Sequence, residues 1–284
     1  MTRSAVRSNT AANEGGLFLL AQPLSTISTS VIHNNVATQN GAGIFNDGSL
    51  TGVHSFTVSN NYTNLDGGGI FNSGGTSQVE LISSSVIDND ADHDRDQLGG
   101  TGGGIYALGR VAIWDALIAR NTQLGFFDDD YKGALDAIGR SLFGTLTGFA
   151  IANAAGRGLV AQDSIGPLQN NGGPTLTHAL LLGSAAINGT LAGDSCNFSI
   201  DQCGAPLIAG LRCDVGAFEF GSIVPVSENV FGIGFEQGDC GPICFGCDVR
   251  FAIAFLLLTV GRRVGDSNPR RASNPKLPPG TQHD

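Results

Sequence analysis

The stretch that decides the fold is Ile32-His33-Asn34-Asn35 followed by Gly41-Ala42-Gly43-Ile44-Phe45-Asn46. Both halves return along the chain. The first pattern is an aliphatic residue, a small or polar residue and then Asn. It recurs at Val6–Asn9, Val58-Ser59-Asn60-Asn61, Ile87-Asp88-Asn89 and Ile118–Asn121. Its leading residues 6, 32 and 58 step by 26, and the next steps are 29 and 31. The second recurs as Gly15-Gly16-Leu17-Phe18, Gly67-Gly68-Gly69-Ile70-Phe71-Asn72 and Gly102-Gly103-Gly104-Ile105-Tyr106. Two motifs that keep phase over about five units define an internal repeat.

The apolar runs inside each unit are short, rich in Val, Ile and Phe, and broken by Gly and Asn. That is the pattern of strands and tight turns, not of an amphipathic helix. Composition agrees. There are 42 Gly, only 14 % charged residues, and 41 % hydrophobic residues to bury a core. The predicted fold is all-β, a right-handed parallel β-helix (β-solenoid) with three strands per coil. Each strand pairs in parallel with its counterpart ~4.8 Å along the axis, and inward aliphatic residues stack into one narrow core. A stacked Asn amide can bond the Asn above and below, and Asn tolerates the left-handed backbone of a sharp turn. Asn34, Asn60, Asn89 and Asn121 are assigned to such a turn ladder.

The coils are assigned to 1–160. Met1 to Asn13 lacks the basic-then-apolar pattern of a signal peptide, so an N-terminally truncated chain is expected. A non-repeating capping region follows at 161–222, then a Cys-containing linker at 223–248. Residues 249–263 hold an apolar run of 10 residues ending near Arg262-Arg263, short against the ~20 that span a bilayer. It reads as a sorting or anchor signal, a re-entrant segment or a core strand. Residues 264–284, with four prolines, read as a disordered tail.

Residues 1–248 carry 9 basic and 23 acidic residues, and 249–284 carry 6 and 2. The acidic body argues against a nucleic-acid partner. The basic end reads as a membrane-flanking segment or as a solvated tail. All six cysteines lie beyond residue 195, which suggests staples in an oxidising compartment. Cys240, Cys244 and Cys247 offer only three zinc ligands with no His nearby, so disulfide or lipid attachment competes with metal.

The run Ile165-Gly166-Pro167-Leu168-Gln169-Asn170-Asn171-Gly172-Gly173-Pro174, with Gly183-Ser184-Ala185-Ala186-Ile187-Asn188, Asp201-Gln202 and Cys213-Asp214-Val215-Gly216-Ala217-Phe218-Glu219, resembles the C-terminal end of bacterial surface β-helix proteins with a choice-of-anchor Q domain. The Gly-rich Ile-Phe-Asn coils are similar to the repeats of polymorphic outer-membrane proteins. The resemblance implies a pectin-lyase-like fold at the cell surface and supplies no activity. It also implies a disulfide between Cys196 and Cys213. The family has Arg where this chain has Cys203, which leaves the pairing of Cys203 open beside that of the three tail cysteines.

Two candidate sites remain. In the fourth unit, Asp88, Asp90, Asp92, Asp94 and Asp96 alternate through a loop. They read first as a solvated acidic loop and second as a weak calcium site. The order begins like an EF-hand, but His93 stands where Gly is needed and no Glu follows at the twelfth position. For an enzyme of this fold the nearest set is Asp88, Asp115 and Arg120. No nucleophile elbow or phosphate loop accompanies it. His178 reads as a structural hydrogen-bonding residue. The expected function is therefore a non-catalytic, adhesive or structural β-helix protein, secreted or on the outer cell surface. A glycan or host-surface partner and cell-envelope attachment through the C-terminus belong to that expectation. A polysaccharide lyase or glycoside hydrolase is the alternative.

Overall fold

The computed structural model describes residues 1–20, 25–96, 99–135, 137–145, 149–151, 157–159, 162–190, 196, 198–207 and 212–222. The linker, apolar-run and tail assignments at 223–284, with Cys240, Cys244 and Cys247, lie outside the described residues. Within them the protein is all-β, and its one helical turn is the 3₁₀ segment Gln162–Ser164.

One repeat contains the strands Val31–His33, Val36–Ala37, Ile44–Asn46 and Ser49–His54. Each pairs in parallel with its equivalent one repeat later: Thr57–Ser59, Tyr62–Thr63, Ile70–Asn72 and Gln78–Ile82. Continued along the chain, this gives sheets of seven, six, six and four strands at the first, second, third and fourth positions of the repeat, the second sheet ending in the antiparallel strand Phe127–Asp128. Four strands per repeat replace the three expected. The cause is the Asn34 backbone, which takes φ 55° and splits what would be one strand over residues 31–37. Ser8, Asn60, Asp88 and Arg120 make the same left-handed corner, at φ 56°, 54°, 61° and 58°.

Strand alternation sends one residue of each triplet inward. Val6, Ile32, Val58, Val86, Ile118 and Phe143 stand in register on the seven-stranded sheet. They meet Ile44, Ile70, Ile105 and Tyr131 from a second sheet in one core.

The asparagine ladder runs one residue later than expected at two positions. Its rungs are Asn9, Asn35, Asn61, Asn89 and Asn121. Each donates through its backbone N–H and its Nδ2 to Oδ1 of the next, at 2.8–3.1 Å. Asp130 Oδ1 accepts the last pair, at 3.0 and 2.8 Å. Asn34 and Asn60 are the corner residues instead. A left-handed corner turns its own side chain outward and aims the following one into the turn, where amides stack. The third glycine of each Gly-Gly-Gly-Ile motif has a steric reason in the same place. A Cβ on Gly69 would come 2.5 Å from the Gly104 carbonyl oxygen and 3.0 Å from the Asn89 amide.

The described residues between 165 and 222, expected to lid an open end, lie along a flank. They cover the outer face of the seven-stranded sheet. Ile87, Leu117, Ala119 and Leu142 on that face form a second core with Ile165, Leu180, Ala186, Val215 and Phe218. Hydrogen bonds fasten the cover repeat by repeat. Thr57 Oγ1 donates to Gln202 Oε1 at 2.7 Å, and Ser85 Oγ accepts from Ala217 N at 3.0 Å. The outward residues of this sheet are too apolar to face water without a cover.

Inside the cover, buried carboxylates take up backbone N–H groups. Asp201 accepts from Ala205 and Glu219, Asp214 from Asn188 and Phe220, and Glu219 from Asp214. Cys196 and Cys213 form a disulfide with Cα atoms 5.9 Å apart. Cys203 is buried outside that bridge, 3.6 Å from Thr177 Oγ1.

Candidate functional site

Asp88 and Arg120 occupy the same left-handed corner in consecutive repeats, and Asp88 N donates to the Ala119 carbonyl. Stacking therefore brings their side chains together, with Arg120 Nη2 2.8 Å from Asp88 Oδ2. The guanidinium also reaches the cover. Nη1 donates to the Ile165 carbonyl at 2.8 Å and Nη2 lies 3.2 Å from the Gly166 carbonyl.

Beside this pair sits His178, from the strand Thr177–Leu180. Its Nδ1 lies 2.8 Å from the Gly166 carbonyl, so that nitrogen carries the hydrogen. Its Nε2 then accepts from Ser59 Oγ at 2.9 Å and stands 4.0 Å from Asp88 Oδ2. Arg120 Nη2 approaches Nδ1 at 3.3 Å, a contact between two donors. Burial pushes the His178 pKa down to about 4. The Gly166 carbonyl and Asp88 oppose the shift, and Arg120 adds to it. The imidazole is neutral at pH 7.

The hydroxyl-to-imidazole contact has the geometry of a nucleophile and its base. Ser59 is 0 % exposed and His178 2 %, so no substrate reaches the hydroxyl while the cover is in place. The group acts as a clamp that joins the corner residues to the flank cover.

The third member of the enzyme set, Asp115, is not brought to this pair. It makes a left-handed corner at the other end of the strand Leu117–Ala119, with φ 50°, and its carbonyl accepts from Gly216 N at 2.8 Å. Five residues of extended chain place its Cα about 16 Å from that of Arg120.

The five acidic-loop residues also divide. Asp88 pairs with Arg120. Asp90 is engaged by His93 Nδ1 at 3.0 Å, Thr122 Oγ1 at 2.7 Å and Gly125 N at 2.8 Å. Asp92, Asp94 and Asp96 alone converge, with carboxylate oxygens within 4.8 Å of one another. Asp92 is buried and the other two are exposed. Giving one oxygen each, three carboxylates supply half or fewer of the six to eight oxygens that Ca²⁺ takes.

A stripe of Phe18, Phe45, Phe71 and Tyr106 runs up the outside of another sheet, with ring centroids 5.0–5.4 Å apart. Its repeat equals the strand spacing. Phe45, Phe71 and Tyr106 stack at interplanar angles of 27° and 8°, while Phe18 is tilted by 58° against Phe45 and is 46 % exposed.

His178, which reads from sequence as a structural hydrogen-bonding residue, bonds the Gly166 carbonyl and Ser59. The parts that sequence reasoning missed are its partner Ser59, the Gln202 bond and the carboxylates Asp201, Asp214 and Glu219. Ser59 lies in the Val58-Ser59-Asn60-Asn61 repeat, and the only signal for the others is that they fall in the quoted C-terminal motifs. No known family model, curated protein or solved structure matches this chain. Among the described residues no helix is long and apolar enough to cross a membrane.

Proposed function

We propose that the chain is a right-handed parallel β-helix of the pectin-lyase-like kind with a choice-of-anchor Q type C-terminal region, and that it serves outside the cell as a non-catalytic adhesive or structural element. The observation that carries the reading is the use made of Asp88 and Arg120. The two charges neutralise each other, and Arg120 gives further N–H groups to the carbonyls of the flank cover. The residues best suited to acid–base work on a polysaccharide thus hold two parts of the protein together. The parallel strand pairing and the Cys196–Cys213 disulfide agree with an exported solenoid.

The test is a panel of acidic and neutral polysaccharides, read both for binding and for release of unsaturated or reducing ends. Binding without turnover is the expected result. Turnover that disappears in Asp88→Ala or Arg120→Ala would establish the enzyme alternative.

A further inference from the structure

Over the first two strands of the seven-stranded sheet the flank cover stands away from the coils. Between Ala5–Arg7 and Val31–His33 on one side and the turn at 170–176 on the other lies a cavity of about 290 Å³. Register shows why it stays open. Arg7, His33, Ser59, Ile87 and Ala119 hold one outward position on five adjacent strands. From Ser59 onward the cover answers each of them, Ser59 through His178 and the apolar pair through the second core. His33 and Arg7 have no such answer.

His33 is 5 % exposed, and its Nδ1 has no hydrogen-bond partner. Burial, and after it the charge of Arg7, pushes its pKa below the usual histidine range, against a hydrogen bond with the Asn34 side chain. A neutral imidazole can donate one hydrogen bond to a ligand. Arg7 makes no ion pair with a carboxylate among the described residues, and it lines the cavity. Val31, Pro174 and Leu176 supply apolar wall.

We propose that this cavity binds a small carboxylate with a compact apolar body, its carboxylate held by Arg7 and His33 and its body against Val31, Pro174 and Leu176. The chemistry follows from the parts. A guanidinium forks onto a carboxylate through two parallel N–H bonds. A buried polar atom without a partner favours any ligand that supplies one. The volume lies at the lower end for ligand pockets and suits roughly ten non-hydrogen atoms. The carboxylate can come from a free organic acid or from the C-terminus of a peptide. This inference goes beyond the adhesive reading and does not depend on it.

The experiment is a titration of the full chain with benzoate and with acetyl-Ala-Ala-Leu carrying a free carboxylate, followed by calorimetry and methyl NMR. Benzamide is the uncharged control. One or both acids are expected to bind and to shift the methyl signals of Ala5, Val31 and Leu176. Which acid binds identifies the source of the carboxylate. Arg7→Gln should weaken binding by roughly tenfold or more, the loss of one charge-assisted contact. Ala5→Trp, which fills the cavity from an exposed strand position, should abolish it. Both changes are on the surface, so an unchanged melting temperature separates lost binding from lost folding. No binding by either acid, equal binding of benzamide, or unaltered binding to Arg7→Gln would overturn the proposal.

Discussion

Asn60 and Asn61 are adjacent and chemically identical, yet they do opposite work. Asn60 turns a corner at φ 54°, where Gly is at ease. Asn61 is wholly buried. It accepts two bonds from Asn35 and donates to the Ile32 carbonyl and to Asn89. Asn61→Ala leaves several buried polar groups unpaired and is expected to lower the unfolding free energy by about 2–4 kcal/mol. Asn60→Gly should cost less than about 1 kcal/mol. Urea unfolding of the two variants decides between the positions, and a larger loss for Asn60→Gly would restore the ladder as first assigned. The register could have been taken from sequence. The corner varies as Ser8, Asn34, Asn60, Asp88 and Arg120, whereas the residue after it is Asn every time. The double Asn in two repeats hid the choice. The acidic loop is decided at the same scale. Read as a solvated loop, with three converging carboxylates of which two are exposed, it should give no saturable rise in melting temperature with millimolar Ca²⁺ beyond that given by Mg²⁺. A saturable rise that vanishes in Asp94→Asn would establish the calcium reading.

At the level of elements the repeats were legible and the flank cover was not, for a physical reason. Repeats announce themselves by period, because each strand must meet its equivalent, 26 residues on in the first repeats and 16 to 35 along the whole series. The cover meets the coils at separations that range from 45 to 146 residues, through single contacts such as Arg120 to Ile165, Ser59 to His178 and Thr57 to Gln202. No period marks such contacts. The structure shows that outward Ile87, Leu117 and Leu142 make one face of the coils apolar, which a solvated face would not be. The position of the cover makes it part of the core and not a detachable lid. A chain ending at residue 160 should therefore expose the Ile87–Leu117–Leu142 face, bind a hydrophobic dye and lose cooperative unfolding. A truncated chain that unfolds as a soluble monomer, at the midpoint of the full one, would show that the coils stand without their cover.

For the molecule as a whole, buried ionisable groups set how stability varies with pH. Burial raises the Asp130 carboxyl, which closes the asparagine ladder, from 3.8 to about 7, against the hydrogen bonds from Asn121 and Thr145. It raises Asp201 and Asp214 in the flank cover to about 6. The stability linked to these three is whole below 3.8 and is lost as pH rises through the folded values, because only the folded chain holds the protons. His178 runs the other way. Its value falls from 6.5 to about 4, so its contribution is whole above 6.5 and is lost as pH falls toward 4. His33 and His54 are lowered in the same sense. Between pH 7.5 and 5.5 Asp130, Asp201 and Asp214 all gain linked stability, Asp130 over more than a unit, whereas His178 loses it over the single unit from 6.5 to 5.5, at about 1.4 kcal/mol per unit. The unfolding free energy should therefore be higher at pH 5.5 than at pH 7.5, by about 1–2 kcal/mol. In His178→Gln the opposing contribution disappears and the rise should be larger. Urea titrations at the two pH values check both statements. A wild-type protein that weakens as pH falls from 7.5 to 5.5 would mean that the histidines under the cover, and not the carboxylates, govern the fold's response to acid.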